Sequence, residues 1–398
     1  MSFVAGTLSM AACTIAHASD HLDAPATVAD PKADIADVYA WTSPDGRRLN
    51  LVMTVQGHSL SDTIEYVFHV DSGSAFGRTT ASTSIACRFP AVDTVDCKAG
   101  GADSAQGNAS SPEGLEGRNH RFRVFAGLRD DPFFNNIKGS VAAYQAANAA
   151  IARGAVVDIT GCPHFDEATS KAIRDQFTHT DGGPAQNFLF NWTVSAIVIS
   201  VDLGVVNKGG KLLAVWGTST QGGKRIDRMA RPFVGNTLLG SSPFSTDDSS
   251  GRVRDDYNSA VATVASAQVI ENLRKSLAFQ DGLDGKCGNQ LLADKATTAM
   301  RYKALARMFA DDRLWINSAS RLCTQFFGVE LAQLAGRKGL RTDCGGRTPT
   351  YNMANVWRSL LVSGSLTGFD DGLHQDEHAA SATAFPFLAP PAPHAVNH

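Results

Sequence analysis

The sequence predicts an α+β fold, an antiparallel β-rich sheet or sandwich core with a helical insertion and a helical C-terminal part. Three observations carry this reading. Short runs rich in β-branched and aromatic residues recur between Asp37 and Phe125. Apolar residues three and four apart take over between Val141 and Phe177. Beyond Asp255 the pattern is helical. Strands first and helices later argue for α+β rather than a doubly wound parallel sheet.

Taken in order, residues 1–18 carry no charged side chain, run apolar through Phe3, Val4, Leu8 and Ile15, and close on the A-x-A signal Ala16-His17-Ala18. They read as a signal peptide cut before Ser19, although Met1-Ser2-Phe3 lacks the usual Lys or Arg. Residues 19–251 are the β-rich core. Its expected strands are Asp37–Trp41, Leu49–Val55, Ile64–Val70 and His120–Phe125, with a turn at Ser43-Pro44-Asp45-Gly46. Gly100–Arg118, rich in Gly, Ser, Ala and Asn, reads as a solvated loop. The helical insertion covers about 138–180, and Trp192–Val201 and Lys211–Thr218 return to the sheet. Residues 252–384 form a helical part packed on the core, with helices expected at 257–279, 291–310, 314–334 and 353–361. A tail at 385–398, with four prolines, should lie extended over the surface.

The 36 basic and 39 acidic residues are evenly mixed, which excludes nucleic acid and an anionic membrane surface as partners chosen by bulk charge. The one apolar run near membrane length, Phe188–Val206, is interrupted by Asn191 and Asp202 and has no helical stripe. It reads as a buried strand, leaving no integral membrane segment once the leader is removed. The expected location is periplasmic or secreted, and the partner an unknown small molecule or protein.

Of seven cysteines, Cys13 belongs to the leader, so Cys87, Cys97, Cys162, Cys287, Cys323 and Cys344 form an even set suited to disulfides. Cys87 and Cys97 stand at hairpin distance and are the first pair expected. No C-x-x-C occurs, so a thiolate metal site is not expected.

Several segments together resemble one bacterial family. Ser19-Asp20-His21-Leu22-Asp23-Ala24-Pro25 and the run from Asp30 to Trp41 look like its opening. Gly127–Phe134, Val194–Val198, Val215–Thr218, Asp227–Pro232 and Phe385–Ala389 look like its later landmarks. The chain thus resembles the family catalogued as domain of unknown function 4331. The resemblance implies an exported protein and no assigned activity. Similar proteins often carry an acidic Asp-x-x-Gly-Asp-Gly turn where this chain has Asp71-Ser72-Gly73-Ser74-Ala75, and Asp-Asp-Val where it has Asn352-Met353-Ala354. Calcium is therefore not expected at the first of these turns.

Three clusters can carry chemistry. Asp20, His21, Asp23, Asp30, Asp34 and Asp37 fall within eighteen residues and suit a divalent cation, calcium or a first-row transition metal; turn capping is the competing explanation. Asp130 and Asp131, after Arg129, can join them or form an ion-pair knot. His21, Asp23, Asp34, Asp37 and Asp131 are the metal candidates, with His21 expected near at least two of the four carboxylates. The second candidate set is His374, Asp376 and His378, within Asp370, Asp371 and Glu377; surface histidines in a loop are the alternative, since Gly368 and Gly372 oppose a helix there. No nucleophile elbow, phosphate loop, dinucleotide fingerprint or haem attachment motif is present. The expected function is an exported binding or structural protein with a divalent-metal site. The alternative is a metal-dependent hydrolytic or oxidative enzyme using His21 and nearby carboxylates.

Overall fold

The computed structural model describes residues 24–239, 248–263, 265–293 and 296–392. The leader, His21 and Asp23 lie outside these residues. The fold is α+β, with two antiparallel sheets and several helices.

In the first sheet the spatial order is β1 (Ile35–Thr42), β2 (Arg48–Val55), β9 (Thr193–Asp202), β8 (Phe122–Asp130) and β7 (Leu115–Glu116). The strand β9 lies between β2 and β8, and Thr193 to Val201 are all buried. That is why its sequence is apolar on both faces and shows no inside-out alternation. The second sheet runs β11 (Lys224–Met229), β10 (Leu212–Gln221), β3 (Ile64–Gly73), β4 (Ala81–Ala91), β5 (Thr94–Ala99) and β6 (Asp103–Asn108), with β12 (Leu314–Asn317) also on β10. The sheets share one apolar core. A Cβ added at Gly217 of β10 would come within 2.6 Å of the Met53 methyl and 3.1 Å of Val38, both from the first sheet. The missing side chain there lets the layers approach.

The longer helices are α1 (Ile137–Ala152), α2 (Glu167–Phe177), α3 (Asp248–Ser259), α4 (Ala267–Asp281), α5 (Lys303–Ala310), α6 (Gly328–Leu334) and α7 (Met353–Ser363). Side-chain caps start several of them: Asn136 accepts from Gly139 N, Asp166 from Thr169 N and Ser266 from Val269 N. The helical insertion builds its own smaller core from Tyr144, Ala147, Ile173 and Phe177.

Several expectations change. The helix expected at 257–279 is two helices, Asp248–Ser259 and Ala267–Asp281, and of 291–310 only Lys303–Ala310 is α-helix. Gly100–Arg118 is not a plain loop: it contains β6 and β7, organised by Asp103, whose carboxylate accepts from the N–H groups of Ser104, Asn119 and Arg121. A short polar edge strand draws on backbone bonds alone, so its composition looks like a loop. Leu314-Trp315-Ile316 is strand, not helix, because pairing with β10 satisfies its backbone. The described part of the tail is not merely superficial. Phe387 and Leu388 are buried, Phe387 meets Trp41 at 4.8 Å between ring centroids, and Ala389 O accepts from Asp130 N at 3.1 Å.

Disulfides join Cys87–Cys97, Cys162–Cys287 and Cys323–Cys344. Cys87 and Cys97 stand directly opposite on β4 and β5, as the hairpin spacing predicts. Cys162–Cys287 spans 125 residues and ties the insertion to the end of α4; on the chain-entropy account such a loop is worth about 5 kcal/mol. Among the described residues no helix is long and apolar enough to cross a membrane. Thiol titration of the unfolded, unreduced chain is expected to find no more than one free thiol among the seven cysteines. Three or more would refute the pairing.

Candidate functional site

The site is built at one end of the first sheet, where β1 begins, β8 ends and the C-terminal segment crosses. Asp37 of β1 is fully buried and takes a hydrogen bond from Arg347, which is also buried. Arg347 reaches this place because Gly345 and Gly346 both have φ +67 and the backbone of Arg347 pairs with Ala40. A Cβ on Gly346 would lie 2.2 Å from Ala40 O, so only glycine permits the approach. The guanidinium also donates to Tyr39 Oη at 3.2 Å and lies 3.9 Å from the Tyr39 ring centre and 5.3 Å from that of Phe133. Burial works against the Arg347 charge, but Asp37, Tyr39 and Asp131 outweigh it and raise its pKa. Tyr39 is pushed well above the ordinary phenol range, first by burial; Arg347 opposes, while the charges of Asp37, Asp131 and Asp376 add to the rise.

Asp130 and Asp131 close β8. Asp131 N donates to Trp192 O at 3.0 Å, and Asp131 Oδ1 accepts from Phe133 N at 3.1 Å. Asp130 Oδ1 lies 3.0 Å from His378 Nδ1. Asn187 Nδ2 donates to Asp376 Oδ1 at 3.3 Å and to Glu377 Oε2 at 2.9 Å, while Asn191 N donates to Glu377 Oε1 at 3.0 Å. The segment 376–378 is thus clamped onto the loop that leads into β9. Asp376 Oδ2 is buried with no hydrogen-bond donor.

These surroundings divide the carboxyls. Burial raises Asp376, and the adjacent Glu377 and Asp130 carboxylates raise it further. Burial raises Asp130 as well; His378 opposes and the charge of Asp131 adds to the rise. For Glu377 burial is outweighed by hydrogen bonds from Asp376, Asn187 and Asn191, which hold it below its usual value. Carboxylates crowded into a partly buried space repel unless a proton or a cation sits among them. The Asp130, Asp376 and Glu377 carboxyls and the His378 imidazole thus crowd one partly buried place at this end of the sheet.

The first set of sequence candidates is therefore only partly in view. Asp37 and Asp131 both face Arg347. Asp34 is buried at the start of β1, its carbonyl accepting from Gln56 N at 3.0 Å. Asp30 caps a turn through Lys32 N, as the capping account has it. Within the second set, Asp376 and His378 belong to the cluster with Asp130, whereas His374 is exposed and lies 3.9 Å from Asp370. Arg129 does not supply the cation of an ion-pair knot with Asp131: it stacks on Phe125 at 4.0 Å, and Arg347 takes that place. Sequence reasoning missed Arg347, Tyr39 and Asn187. The Gly345-Gly346 pair before Arg347 was the available signal.

A cleft of about 520 Å³ opens beside this end, lined by Lys32, His58, Leu60, Phe89, Ala126 and Leu128 among others. Its size and mixed lining suit a small organic ligand. Leu128 stands two residues before Asp130 on β8, on the same face by strand periodicity.

No protein-family model, curated protein or solved structure matches this chain.

Replacing Arg347 by Leu leaves buried carboxylate charge uncompensated, so a loss of about 3–5 kcal/mol is expected in urea unfolding. Adding Asp37→Leu to that variant should recover part of the loss. Unchanged stability of the single variant would show that the pair does not hold this end together.

Proposed function

We propose that this chain is an exported binding protein, periplasmic or secreted, that holds one divalent cation on Asp130, Asp376 and Glu377 with His378, beside a small-molecule cleft. The observation that carries the proposal is the buried, donor-less Asp376 Oδ2 next to the Asp130 carboxylate. A cation there would offset the repulsion that burial amplifies and would satisfy that oxygen. Three disulfides suit an oxidising compartment. Membership of the exported family that the sequence segments resemble forms part of this proposal. So does a contribution from His21 and Asp23.

The cation's part would be to neutralise the carboxylates and accept an oxygen of the ligand. Asn187 and the Asn191 N–H would orient Glu377.

The test couples pH to metal. The Asp376 carboxyl is raised from 3.8 to about 9 in the folded chain. The native state therefore holds this proton more tightly than the unfolded state, and its contribution to stability falls as pH rises between those values. Melting temperatures without cation should decline across that window. Saturating calcium, manganese or zinc should remove the decline, with a gain of about 2.7 kcal/mol at a hundredfold excess over Kd. Asp376→Asn should flatten the profile and abolish the cation response, and His21→Ala should weaken it if the N-terminal set contributes. A variant profile superimposed on the parent's, together with no metal in elemental analysis of the parent, would refute the proposal.

A further inference from the structure

Away from that site, the loop at the foot of the helical insertion places Asp158, His164 and Cys287 with ligand atoms all within 4.8 Å of one another. Cys162 is outside that group but is bonded to Cys287, so its sulfur stands next to one of the three ligand atoms. We propose that Cys162, Cys287, His164 and Asp158 are a redox-gated zinc site, closed while the disulfide stands and assembled on reduction as a tetrahedron of two thiolates, one imidazole and one carboxylate.

The geometry of the loop prepares this set. Asp158 Oδ1 accepts from Thr160 N at 2.8 Å, Thr160 Oγ1 at 2.5 Å and Cys162 N at 3.1 Å. Its other oxygen is turned to His164 Nε2 at 3.6 Å and Arg301 Nη1 at 3.8 Å. Arg274 fixes the same loop through Thr160 O at 2.8 Å. Ligand atoms on a tetrahedral zinc ion sit roughly 3.3–3.8 Å apart, so Asp158, His164 and Cys287, within 4.8 Å of one another, need about 1 Å of closure, and Cys162 must turn its sulfur in beside them once the bond opens. His164 is half-exposed and can supply that movement.

Charge decides between the two states. With the disulfide intact, the sulfurs carry no charge and the Asp158 carboxylate already lies beside Arg301, so only the carboxylate and the imidazole are left to hold a cation. With the thiols open and deprotonated, two thiolates and one carboxylate carry three negative charges, which the zinc dication and Arg301 together match. The electron count closes as well. A thiol or phosphine reductant gives two electrons to the sulfur–sulfur bond, and two protons complete the thiols. On binding zinc the thiols release those protons to solvent while His164 ligates as neutral imidazole. This site uses soft ligands and none of the residues of the carboxylate cluster, so it stands or falls separately from the proposed function.

Cobalt(II) reports it directly, because thiolate ligation gives a charge-transfer absorption that oxygen and nitrogen donors do not. The full chain, reduced with a phosphine and kept under nitrogen, is expected to bind one cobalt(II) ion with that absorption, to lose it to zinc, and to show none before reduction. The double variant Cys162→Ser, Cys287→Ser should lack the band. His164→Gln, an exposed change that leaves the cysteines in place, should weaken cobalt binding at least about tenfold. No thiolate band on the reduced parent would overturn the proposal. So would a full band in the double variant, which would assign the metal to other cysteines. Should reduction or the double variant unfold the chain by circular dichroism, a tetrathiol-like spectrum or an unchanged affinity in both His164→Gln and Asp158→Asn overturns it, and weakened binding in both supports it.

Discussion

The buried pair between Arg347 and Asp37 joins residues 310 positions apart and fixes the C-terminal part of the chain against the first strand. Two charges taken out of water impose a desolvation penalty of several kcal/mol each, and only close, well-directed bonds offset it. Arg347 meets that demand with Asp37, Tyr39 and Val38 O. Apolar contact alone could slide; a guanidinium between a carboxylate and a phenol cannot. The same device recurs at other junctions between elements. Arg231 binds Glu330 at 2.8 Å beside Asp312, and Arg358 binds Ser140 at 2.7 Å and Asn135 at 2.8 Å beside Asp371.

With β1 and the Arg347 segment locked, the end of β8 acquires fixed neighbours. Asp131 adds to the field at Arg347, while Asp130, one residue earlier, faces His378. The chain thereby separates two acidic neighbours into different roles. One helps to stabilise a buried cation of the protein itself. The other joins Asp376 and Glu377 in a cluster whose mutual repulsion is opposed by the His378 imidazole beside Asp130. The clamp through Asn187 and Asn191 holds that repulsion in place instead of letting the strap swing into solvent.

The disulfides act at a different level. Cys87–Cys97 reinforces a hairpin that strand pairing already defines, whereas Cys162–Cys287 joins distant segments and collects the only mixed sulfur, nitrogen and oxygen donor group found among the described residues. Without a bond between the sulfurs, the loop at Asp158 would still be shaped by its own hydrogen bonds.

What the sequence determined by itself is the part governed by local periodicity. The β-rich runs that became β1 to β3, the helical stripes of α1, α2 and α7, and the Cys87–Cys97 hairpin all follow from neighbours a few residues apart. The polar strand β6 was illegible because backbone pairing with the adjacent β5, and not its composition, makes it a strand, and Leu314–Asn317 because its partner β10 is about a hundred residues away. In the carboxylate cluster Asp130, Asp376, Glu377 and His378 were visible as separate acidic or histidine-bearing segments, but nothing in their spacing joined Asp130 to residues 248 positions away. Arg347, Tyr39 and the Cys162–Cys287 group were decided by tertiary structure alone. Burial makes a distant opposite charge or a distant sulfur the nearest partner, and burial is a property of the folded chain as a whole.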